Sequence, residues 1–389
     1  LTNHRGSHFS FEYDNTNRLT KISRPGSETT YLHDESGLLS NIKHFKTSNA
    51  NLVNEFIYER NNTGNVDKLT TQSGDHLFEY DKNQQLTRAT HPDPKETEKF
   101  TYDPLGNRLT DSSGSYVYDQ KSKQLVEDYR YHYYYDDNGN LSSKQSKTSN
   151  ETVNYAYTSE NQLKKIEFFE GATKTKQVFY FYDALGRRIA KDVQDLGNSS
   201  NSPVRKFIYQ GSQVLAKLNE NNKSLAIYTH STLRTDDPLA VEITQKGKEA
   251  GTGDQEGEFY YIKDALGSVI NIADSSGEIV QNYAYNSFGE LEDIEDQSGS
   301  DISSDPFIKP YFTYTAREYD AESKMYYYRA RYYSASIGRF LQKDSFRGMA
   351  SNPLTHLNKY TYGYNNPMNI KDPSGKLGIV AGILIAGVI

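Results

Sequence analysis

Acidic side chains slightly outnumber basic ones, with 51 Asp and Glu against 44 Lys and Arg, and they are the first candidates for chemistry. Glu167 and Glu170 enclose two phenylalanines, which favours a strand with solvated charges over the paired carboxylates of a glycosidase. The nine histidines are scattered, and the lack of cysteine excludes disulfides and thiolate metal sites. Residues 298–300 read Ser-Gly-Ser with no helix start after them, which suits a linker and not a phosphate loop. We therefore expect no cofactor and no bound metal.

A repeated motif organises most of the chain: a Tyr-Asp pair followed, after two variable residues, by Gly. Residues 182–188 carry it as Tyr-Asp-Ala-Leu-Gly-Arg-Arg. Related copies occupy residues 102–108, 135–141, 285–290 (Asn for Asp) and 263–267 (lacking only the Tyr), and weaker ones begin at Tyr13 and Tyr80. The anchoring tyrosines recur about every 20 to 30 residues, a period typical of folds built from one supersecondary unit at a time.

Each copy of the motif predicts a β-hairpin. Residues 179–182 are aromatic and strand-prone, the Asp183 carboxylate can bond the backbone two residues on, and Gly186 can take a positive φ. Asn17 holds the Gly position in the first copy and tolerates the left-handed conformation, whereas Gln84 does not, so the hairpin at Gln84 is predicted to use another turn. Stacked hairpins form a long antiparallel sheet that must curl, close or be capped to manage its edges.

The composition favours a thin sheet over a thick hydrophobic core. Only 35% of residues are hydrophobic and the mean hydropathy is −0.83, yet 33 residues are tyrosine. A tyrosine has an apolar ring and a hydroxyl that can reach water, which suits a wall with two wet faces. The net charge is −7 and no basic block appears, so we expect no nucleic-acid binding by this segment.

Four parts follow one another along the chain. Residues 1–290 carry the hairpins, 291–310 form a polar connecting segment, 311–376 are rich in tyrosine and arginine, and 377–389 are apolar. The last part is too short to span a bilayer unaided, and it suits either a buried plug strand or the start of a membrane-active segment. Because the chain opens on Leu1 without a signal-peptide pattern, we expect it to be part of a longer polypeptide.

The 311–376 part contains a long ordered motif. Residues 329–340 read Arg-Ala-Arg-Tyr-Tyr-Ser-Ala-Ser-Ile-Gly-Arg-Phe, and Asp344 follows. Residues 358–367 read Asn-Lys-Tyr-Thr-Tyr-Gly-Tyr-Asn-Asn-Pro, and residues 372–375 read Asp-Pro-Ser-Gly. This series resembles the core of rearrangement-hotspot (RHS) proteins. The Tyr-Asp repeats before it are similar to those of RHS/YD-repeat proteins, so the resemblance covers essentially the whole chain.

The resemblance implies an all-β fold in which YD-repeat hairpins spiral into a hollow shell closed by the RHS core as a plug. In the toxin branch of the family, the shell sequesters a variable C-terminal toxin domain, and the core can act as an aspartic autoprotease that severs it. The implied partners are that toxin cargo, a missing N-terminal shell or delivery component, and an immunity protein to the cargo. Such proteins are secreted or lie at the bacterial cell surface and are delivered by insecticidal complexes, type VI secretion or wall-associated systems.

A second interpretation of the same resemblance stays open. Related YD-repeat shells occur in cell-surface adhesion proteins that are not proteases. Under that interpretation the chain is a non-catalytic scaffold that binds a cell surface or carbohydrate.

By motif position, the resemblance places the catalytic pair of the autoprotease at Asp344 and Asp372, with Arg331 as the nearby cation. An aspartic protease needs two carboxylates that share one proton, so that one accepts a proton from water while the other donates to the carbonyl oxygen. The alternative is structural: Asp344 and Asp372 form turns, and Arg331 bridges carbonyl groups. Both interpretations stay open.

The cleavage site is expected between Leu377 and Gly378, and the chain departs from the family pattern near it. The autocleaving branch has Leu directly after Asp-Pro-x-Gly, whereas here Lys376 intervenes. The family often has Asp-Pro where this chain has Ser at 334 and Ala at 335, and Pro where it has Ser345. These departures put the register of the cut in question.

Overall fold

The computed structural model describes residues 1–92, 95–197, 202–244, 256–347, 357–376 and 378–380. Antiparallel strands are the dominant secondary structure in this part of the chain. Three short 3-10 helices lie at Tyr314–Ala316, Ala335–Ile337 and Gly363–Asn365. No helix within these residues is long and apolar enough to cross a membrane. Leu377 and the apolar residues 381–389 lie outside the described residues.

Strands that are consecutive in sequence are neighbours in every sheet. The first sheet contains β1 (Ser10–Tyr13), β2 (Leu19–Arg24), β3 (Ser27–His33), β4 (Leu39–Lys46), β5 (Leu52–Arg60), β6 (Val66–Thr71), β7 (Gly74–Tyr80), β8 (Leu86–Thr90) and β9 (Glu98–Lys99). A two-stranded sheet of β10 (Thr101–Tyr102) and β11 (Arg108–Thr110) follows.

The third sheet is the longest, with 16 strands among the described residues. It contains β12 (Val117–Tyr118), β13 (Leu125–Glu127), β14 (Tyr131–Tyr135), β15 (Leu141–Ser146), β16 (Glu151–Tyr157), β17 (Leu163–Glu170), β18 (Thr173–Tyr182), β19 (Arg188–Asp195), β20 (Ser202–Gln210), β21 (Gln213–Leu218), β22 (Ser224–His230), β23 (Pro238–Ile243), β24 (Gly257–Lys263), β25 (Val269–Ala273), β26 (Ile279–Tyr285) and β27 (Leu291–Glu295). These three sheets form the wall. The wall therefore extends to Glu295, into the segment predicted to be a connection.

Residues 311–376, the plug, have their own small sheets. One contains β28 (Glu318–Asp320), β29 (Met325–Tyr328), β30 (Arg331–Ser334) and β31 (Arg339–Phe340). The other pairs β32 (Ile370–Lys371) with β33 (Ile379–Val380).

The predicted hairpins are confirmed, and one turn design connects most of them. At Asp183, the backbone N–H donates to the Arg187 carbonyl oxygen at 3.0 Å, and the Gly186 N–H returns a bond to the Asp183 carbonyl oxygen at 2.9 Å. The Asp183 carboxylate accepts the N–H groups of Leu185 and Arg187. The same backbone pattern recurs at Asp14, Asp34, Asn61, Asp81, Asp103, Asp136, Thr158, Asn219, Asp264, Asp274, Asn286 and Asp296.

The prediction of a different turn at Gln84 is wrong. Gln84 has φ 64° and its N–H bonds to the Asp81 carbonyl oxygen at 3.0 Å, as Gly does in the other copies. Left-handed backbone costs a non-Gly residue about 1–2 kcal/mol. Bonds to the Gln84 amide oxygen from Thr63 (2.8 Å) and Asn65, on the neighbouring turn, offset this cost.

In six of the repeats, the tyrosine hydroxyl bonds the hairpin to the preceding one. The Tyr157 hydroxyl donates to the carbonyl oxygen of Leu141, the first residue of β15, at 2.8 Å. Equivalent bonds join Tyr80 to Val66, Tyr102 to Leu86, Tyr182 to Leu163, Tyr209 to Arg188 and Tyr285 to Val269. Each acceptor is the first residue of a strand. These six hydroxyls therefore satisfy backbone carbonyl oxygens of the neighbouring hairpins.

The wall curls back on itself, as expected for a long hairpin array. Arg24 of the first sheet donates from Nη1 to the carbonyl oxygen of Tyr261 in β24 at 2.8 Å. Asn54 donates to the amide oxygen of Asn271 in β25 at 3.2 Å. The first sheet thus packs against strands that come about two hundred residues later in the chain.

The plug binds the row of turns along the wall. The Asn365 amide donates to the Gln85 side-chain oxygen and to the Gly106 carbonyl oxygen, at 2.9 and 2.8 Å, and the Asn366 amide donates to Asn65 at 2.9 Å. Plug hydroxyls donate in the same way to carbonyl oxygens: Tyr360 to Gly139, Tyr327 to Gly186, Tyr326 to Gly289 and Tyr333 to Phe288. Regular spacing of the turns is therefore a condition for plug docking.

A buried ionic cluster adds to this interface. Arg188 of β19 is fully buried and lies 3.0 Å from a Glu318 oxygen and 2.5 Å from an Asp320 oxygen, both on the plug. Lys191 adds a second cation, 2.9 Å from Asp320. Burial alone would raise the pKa of Asp320, but Arg188 and Lys191 hold it below its usual value. The Asp320 carboxylate thus stays ionised against the wall.

The tyrosine bonds between hairpins predict a cost for removing one hydroxyl. Tyr157→Phe leaves the Leu141 carbonyl oxygen without this donor, and we expect a loss of about 1–3 kcal/mol in the free energy of unfolding. Urea unfolding followed by tyrosine fluorescence measures it. Tyr134→Phe is the matched control, because the Tyr134 side chain is exposed, and it should leave the midpoint in place. Equal midpoints for the two variants would contradict the assignment.

The buried ionic cluster predicts a larger loss in the free energy of unfolding than the tyrosine bonds do. Arg188→Met leaves Glu318 and Asp320 buried with a weaker set of cations, and the free energy of unfolding should fall by about 3–5 kcal/mol. Arg187→Met removes a surface pair with Asp183, a bond to the Gly211 carbonyl oxygen and a contact with the Tyr209 ring, and it should cost only about 1–2 kcal/mol. Thermal unfolding of both variants tests this, and similar losses at the two adjacent positions would contradict it.

Candidate functional site

The three residues of the predicted site come from separate elements of the plug. Arg331 is the first residue of β30, directly after the turn from β29. Asp344 lies four residues after the end of β31, and Asp372 directly follows β32. Two short strand pairings therefore have to form before these side chains can meet.

The structure brings all three residues together. Arg331 Nη2 lies 2.9 Å from Asp344 Oδ2 and 3.3 Å from Asp372 Oδ2, so a single nitrogen atom contacts both carboxylates. The side chains are 5%, 12% and 4% exposed for Arg331, Asp344 and Asp372, respectively. A buried carboxylate pair bridged by one guanidinium is an arrangement in which two acids can hold different protonation states.

Other contacts fix the orientation of the Arg331 guanidinium. Its Nε donates to the Gly375 carbonyl oxygen and its Nη1 donates to the Lys359 carbonyl oxygen at 3.0 Å. Its central carbon lies 3.7 Å from the centre of the Phe340 ring. Burial lowers the pKa of Arg331, and the neighbouring Asp344 and Asp372 oppose this. The Arg331 guanidinium thus has the Phe340 ring on one face and oxygen atoms around its edge.

Asp372 is held in a tight turn by the residues that follow it. Its Oδ1 accepts the Lys376 N–H at 3.0 Å and the Ser374 hydroxyl at 3.2 Å. Gly375 has φ 70°, and a Cβ at this position would lie 2.3 Å from the Tyr328 carbonyl oxygen. Only glycine fits there, which accounts physically for the Gly of the Asp-Pro-Ser-Gly sequence.

Asp344 occupies a different environment. Its Oδ1 accepts the Phe346 N–H at 2.8 Å, and its own N–H donates to the Lys359 carbonyl oxygen at 3.0 Å. Burial raises the pKa of the Asp344 carboxyl above its usual value, although Arg331 opposes the shift. The protonated form of Asp344 therefore persists to higher pH than that of an ordinary aspartate.

The expected cleavage site lies beside the pair, although Leu377 itself is outside the described residues. On one side of it, the Lys376 N–H binds Asp372. On the other, a Cβ on Gly378 would lie 3.1 Å from a Tyr364 ring carbon and 2.8 Å from Ile370 Cγ2. The chain thus contacts Asp372 before residue 377 and packs against Tyr364 and Ile370 after it.

Sequence reasoning missed a carboxylate that the wall contributes near this site. Asp236 lies between β22 and β23 and contacts Arg317 at 2.7 Å and Arg329 at 2.5 Å. No repeat or motif marks it, because it belongs to a loop outside the Tyr-Asp turns. Among the residues that the structure describes, no group of three or more His, Asp or Glu side chains could hold a metal ion.

Comparison with known proteins identifies relatives that are much longer than this chain. The chain is 32% identical over 382 residues to the tRNA3(Ser)-specific nuclease WapA of Bacillus spizizenii, which covers 95% of this chain and 15% of the relative. It is 25% identical over 328 residues to double-stranded DNA deaminase toxin A of Burkholderia cenocepacia, which covers 79% of this chain and 21% of that protein.

Solved structures share the fold. The crystal structure of TcdB2-TccC3 matches with a TM-score of 0.72 at 19% identity, covering 94% of this chain and 20% of that one. The Photorhabdus luminescens Tc holotoxin pore matches with a TM-score of 0.73 at 18% identity, covering 97% and 19% of the two chains. The predicted all-β architecture of stacked YD hairpins is confirmed.

The Teneurin YD-shell family model matches residues 54–368, from the wall well into the plug. This span includes most of the Tyr-Asp turns, as well as Arg331 and Asp344. The chain belongs to the Teneurin YD-shell family.

Proposed function

We propose that this chain is the closing part of the shell of a toxin-like protein, and that its plug cuts the chain between Leu377 and Gly378. The observation that carries the catalytic part is the contact of Arg331 Nη2 with both Asp344 and Asp372. The plug docking along the wall turns supports the shell part.

The proposed cargo is a toxin domain that begins within residues 377–389. Two relatives are named as a tRNA nuclease and a DNA deaminase toxin, and this chain matches only 15% and 21% of their lengths. Activities of that kind therefore have room outside the matched region. We also assign to the longer protein an N-terminal shell or delivery component, an immunity protein to the cargo, and export from the bacterial cell.

The proposed reaction is hydrolysis of one peptide bond. Asp372 acts as the base and takes a proton from water, while the protonated Asp344 donates to the carbonyl oxygen of Leu377. The tetrahedral intermediate then collapses as Asp372 passes the proton it took from water to the Gly378 nitrogen, which breaks the C–N bond, and Asp344 recovers a proton from the intermediate's hydroxyl group. The products are a new carboxylate at Leu377 and a new amino group at Gly378. Arg331 aligns the two carboxyl groups and offers positive charge to the negative charge that develops.

A non-catalytic scaffold is the second candidate, and a specific observation favours it. The Oδ1 atoms of Asp344 and Asp372 accept N–H groups of following residues, as the Asp183 carboxylate does in a hairpin turn. Arg331 also binds two carbonyl oxygens, as expected for a structural brace. Under this interpretation the plug stays intact, and the shell serves adhesion or carbohydrate binding.

Cleavage is tested by the intact mass of a longer precursor in denaturing solvent. We expect the native protein to appear as two fragments that meet at Leu377 and Gly378. Asp344→Asn and Asp372→Asn should each slow cleavage by about 100-fold or more, because each removes a proton-transfer group.

Asp136→Asn is the matched control for this experiment. It changes a hairpin-turn aspartate that accepts two backbone N–H groups and lies in the wall, and it should leave cleavage at the native rate. A single uncut mass for the native protein would overturn the protease and favour the scaffold.

Cleavage should depend on pH in a defined direction. The proposed acid is active when protonated, and burial extends the protonated range of Asp344 above the ordinary aspartate pKa of about 3.9. The cleavage rate should therefore fall as pH rises through this raised pKa. Refolding of the precursor at a series of pH values, with fragments quantified on denaturing gels and folding checked by circular dichroism, measures it. A rate that increases toward alkaline pH would contradict the assignment of Asp344 as the acid.

A further inference from the structure

We propose that Asp236 of the wall is a positioning residue for the plug site, so that cutting depends on the wall having closed around the plug. This inference rests on the proposed autoproteolysis and adds its regulation. It identifies the wall residue through which the plug senses the assembled shell.

Asp236 binds two arginines of the plug at once. Arg329 makes a two-pronged contact, with Nη1 at 3.0 Å from Asp236 Oδ2 and Nη2 at 2.5 Å from Oδ1. Arg317 Nη1 lies 2.7 Å from the same Oδ1. The Asp236 side chain is only 8% exposed. Burial alone would raise the pKa of Asp236, but Arg317 and Arg329 hold it below its usual value, so the wall presents a carboxylate.

Arg329 forms a second bond, to the turn that follows Asp372. Arg329 Nη1 also donates to the carbonyl oxygen of Pro373, the residue after Asp372. One guanidinium therefore joins the wall carboxylate to the turn that holds Asp372. The Ala330 N–H reaches the Ser374 carbonyl oxygen in the same turn at 3.4 Å.

The turn between β29 and β30 connects the contact of Asp236 with Arg329 to the other groups of the site. It carries Arg329, which faces Asp236, and two residues later Arg331, which contacts both carboxylates. A displacement of this turn therefore moves Arg331 and the Asp372 turn together. A misplacement of about 1 Å can cost about 100-fold in rate when reacting groups must be aligned.

The backbone conformation of Asp236 and Arg329 indicates that the contact between them is constrained. Asp236 and Arg329 both have φ 58°, in the left-handed region that non-Gly residues rarely adopt. Each such residue costs about 1–3 kcal/mol and persists where its surroundings hold it in place. Here the two strained residues hold each other through the ion pair. Removal of the carboxylate should therefore release the turn and not merely weaken one bond.

The test compares cleavage in three precursors with different acidic residues. Asp236→Asn should slow cleavage by about 10- to 100-fold. Asp236→Glu keeps the carboxylate and should recover part of that loss. Asp128→Asn is the matched control, because Asp128 is also a buried carboxylate of the wall. Its partners, the Arg130 and Tyr131 N–H groups and the Tyr133 hydroxyl, all belong to the wall and not to the plug. This control should lower the unfolding midpoint at least as much as Asp236→Asn while cleavage stays near the native rate.

A fourth variant separates positioning from folding. Arg329→Gly suits the backbone, because glycine accepts φ 58° without strain, but it removes the link from Asp236 to Pro373. The Arg329 side chain is 24% exposed, so a small cation can reach the vacated position. Guanidinium chloride below denaturing concentration should then restore cleavage in Arg329→Gly, whereas sodium chloride at the same concentration should not.

The outcomes distinguish the inference from the function on which it rests. A native precursor that stays uncut overturns the proposed autoproteolysis and this inference with it. A native precursor that is cut, together with native-rate cleavage in Asp236→Asn, overturns the inference alone. Equal slowing by Asp236→Asn and Asp128→Asn also overturns it, because both would then act through stability.

Discussion

One hydrogen bond recurs through the wall, from a tyrosine hydroxyl to the first carbonyl of a strand in the preceding hairpin. Tyr157 and Leu141 are one example of this pairing. Backbone hydrogen bonds join neighbouring strands along their length. The tyrosine hydroxyl adds a hydrogen bond between two hairpins at the ends of their strands, where the turns lie. The aspartate turns repeat the same backbone bonds from Asp14 to Asp296. Together these bonds fix the spacing of a row of carbonyl and amide groups on the turns.

The plug depends on that row. Its asparagine amides and tyrosine hydroxyls donate to turn groups at Gln85, Gly106 and Gly139, which lie on three different hairpins. These bonds are individually modest, with a net value of about 1 kcal/mol each, but they act together and require one register. The buried ion pairs at Arg188 and Asp236 add charge specificity to the docking. The geometry of the carboxylate pair is thus a consequence of the wall as well as of the plug.

The sequence was sufficient to predict the hairpins, because the repeat has a direct physical meaning. Asp183 and Gly186 are the residues that such a turn needs, and the antiparallel order of the strands follows from short connections. The hydroxyl bonds were not predictable from composition, since a tyrosine that reaches water and one that reaches a backbone carbonyl look the same in sequence. The turn at Gln84 was mispredicted because its compensating contacts come from Thr63 and Asn65, about twenty residues earlier in the chain.

The site was predicted in part. Arg331, Asp344 and Asp372 were assigned by resemblance to the RHS core, and the structure places them in contact. Their roles in cleavage are our proposal. Asp236 could not be predicted, because its importance lies in a contact with Arg329 across about ninety residues of chain and no motif surrounds it. Residues that join wall to plug need the fold before they can be recognised.

We propose that the plug cuts the chain while the closed shell retains the product. Native mass spectrometry of the longer precursor, followed by the same measurement in denaturing solvent, tests it most directly. We expect the two pieces to be measured as one complex under native conditions. After denaturation, we expect two fragments that divide between Leu377 and Gly378. A single uncut chain under both conditions would contradict cleavage, and loss of the C-terminal fragment under native conditions would contradict retention by the shell.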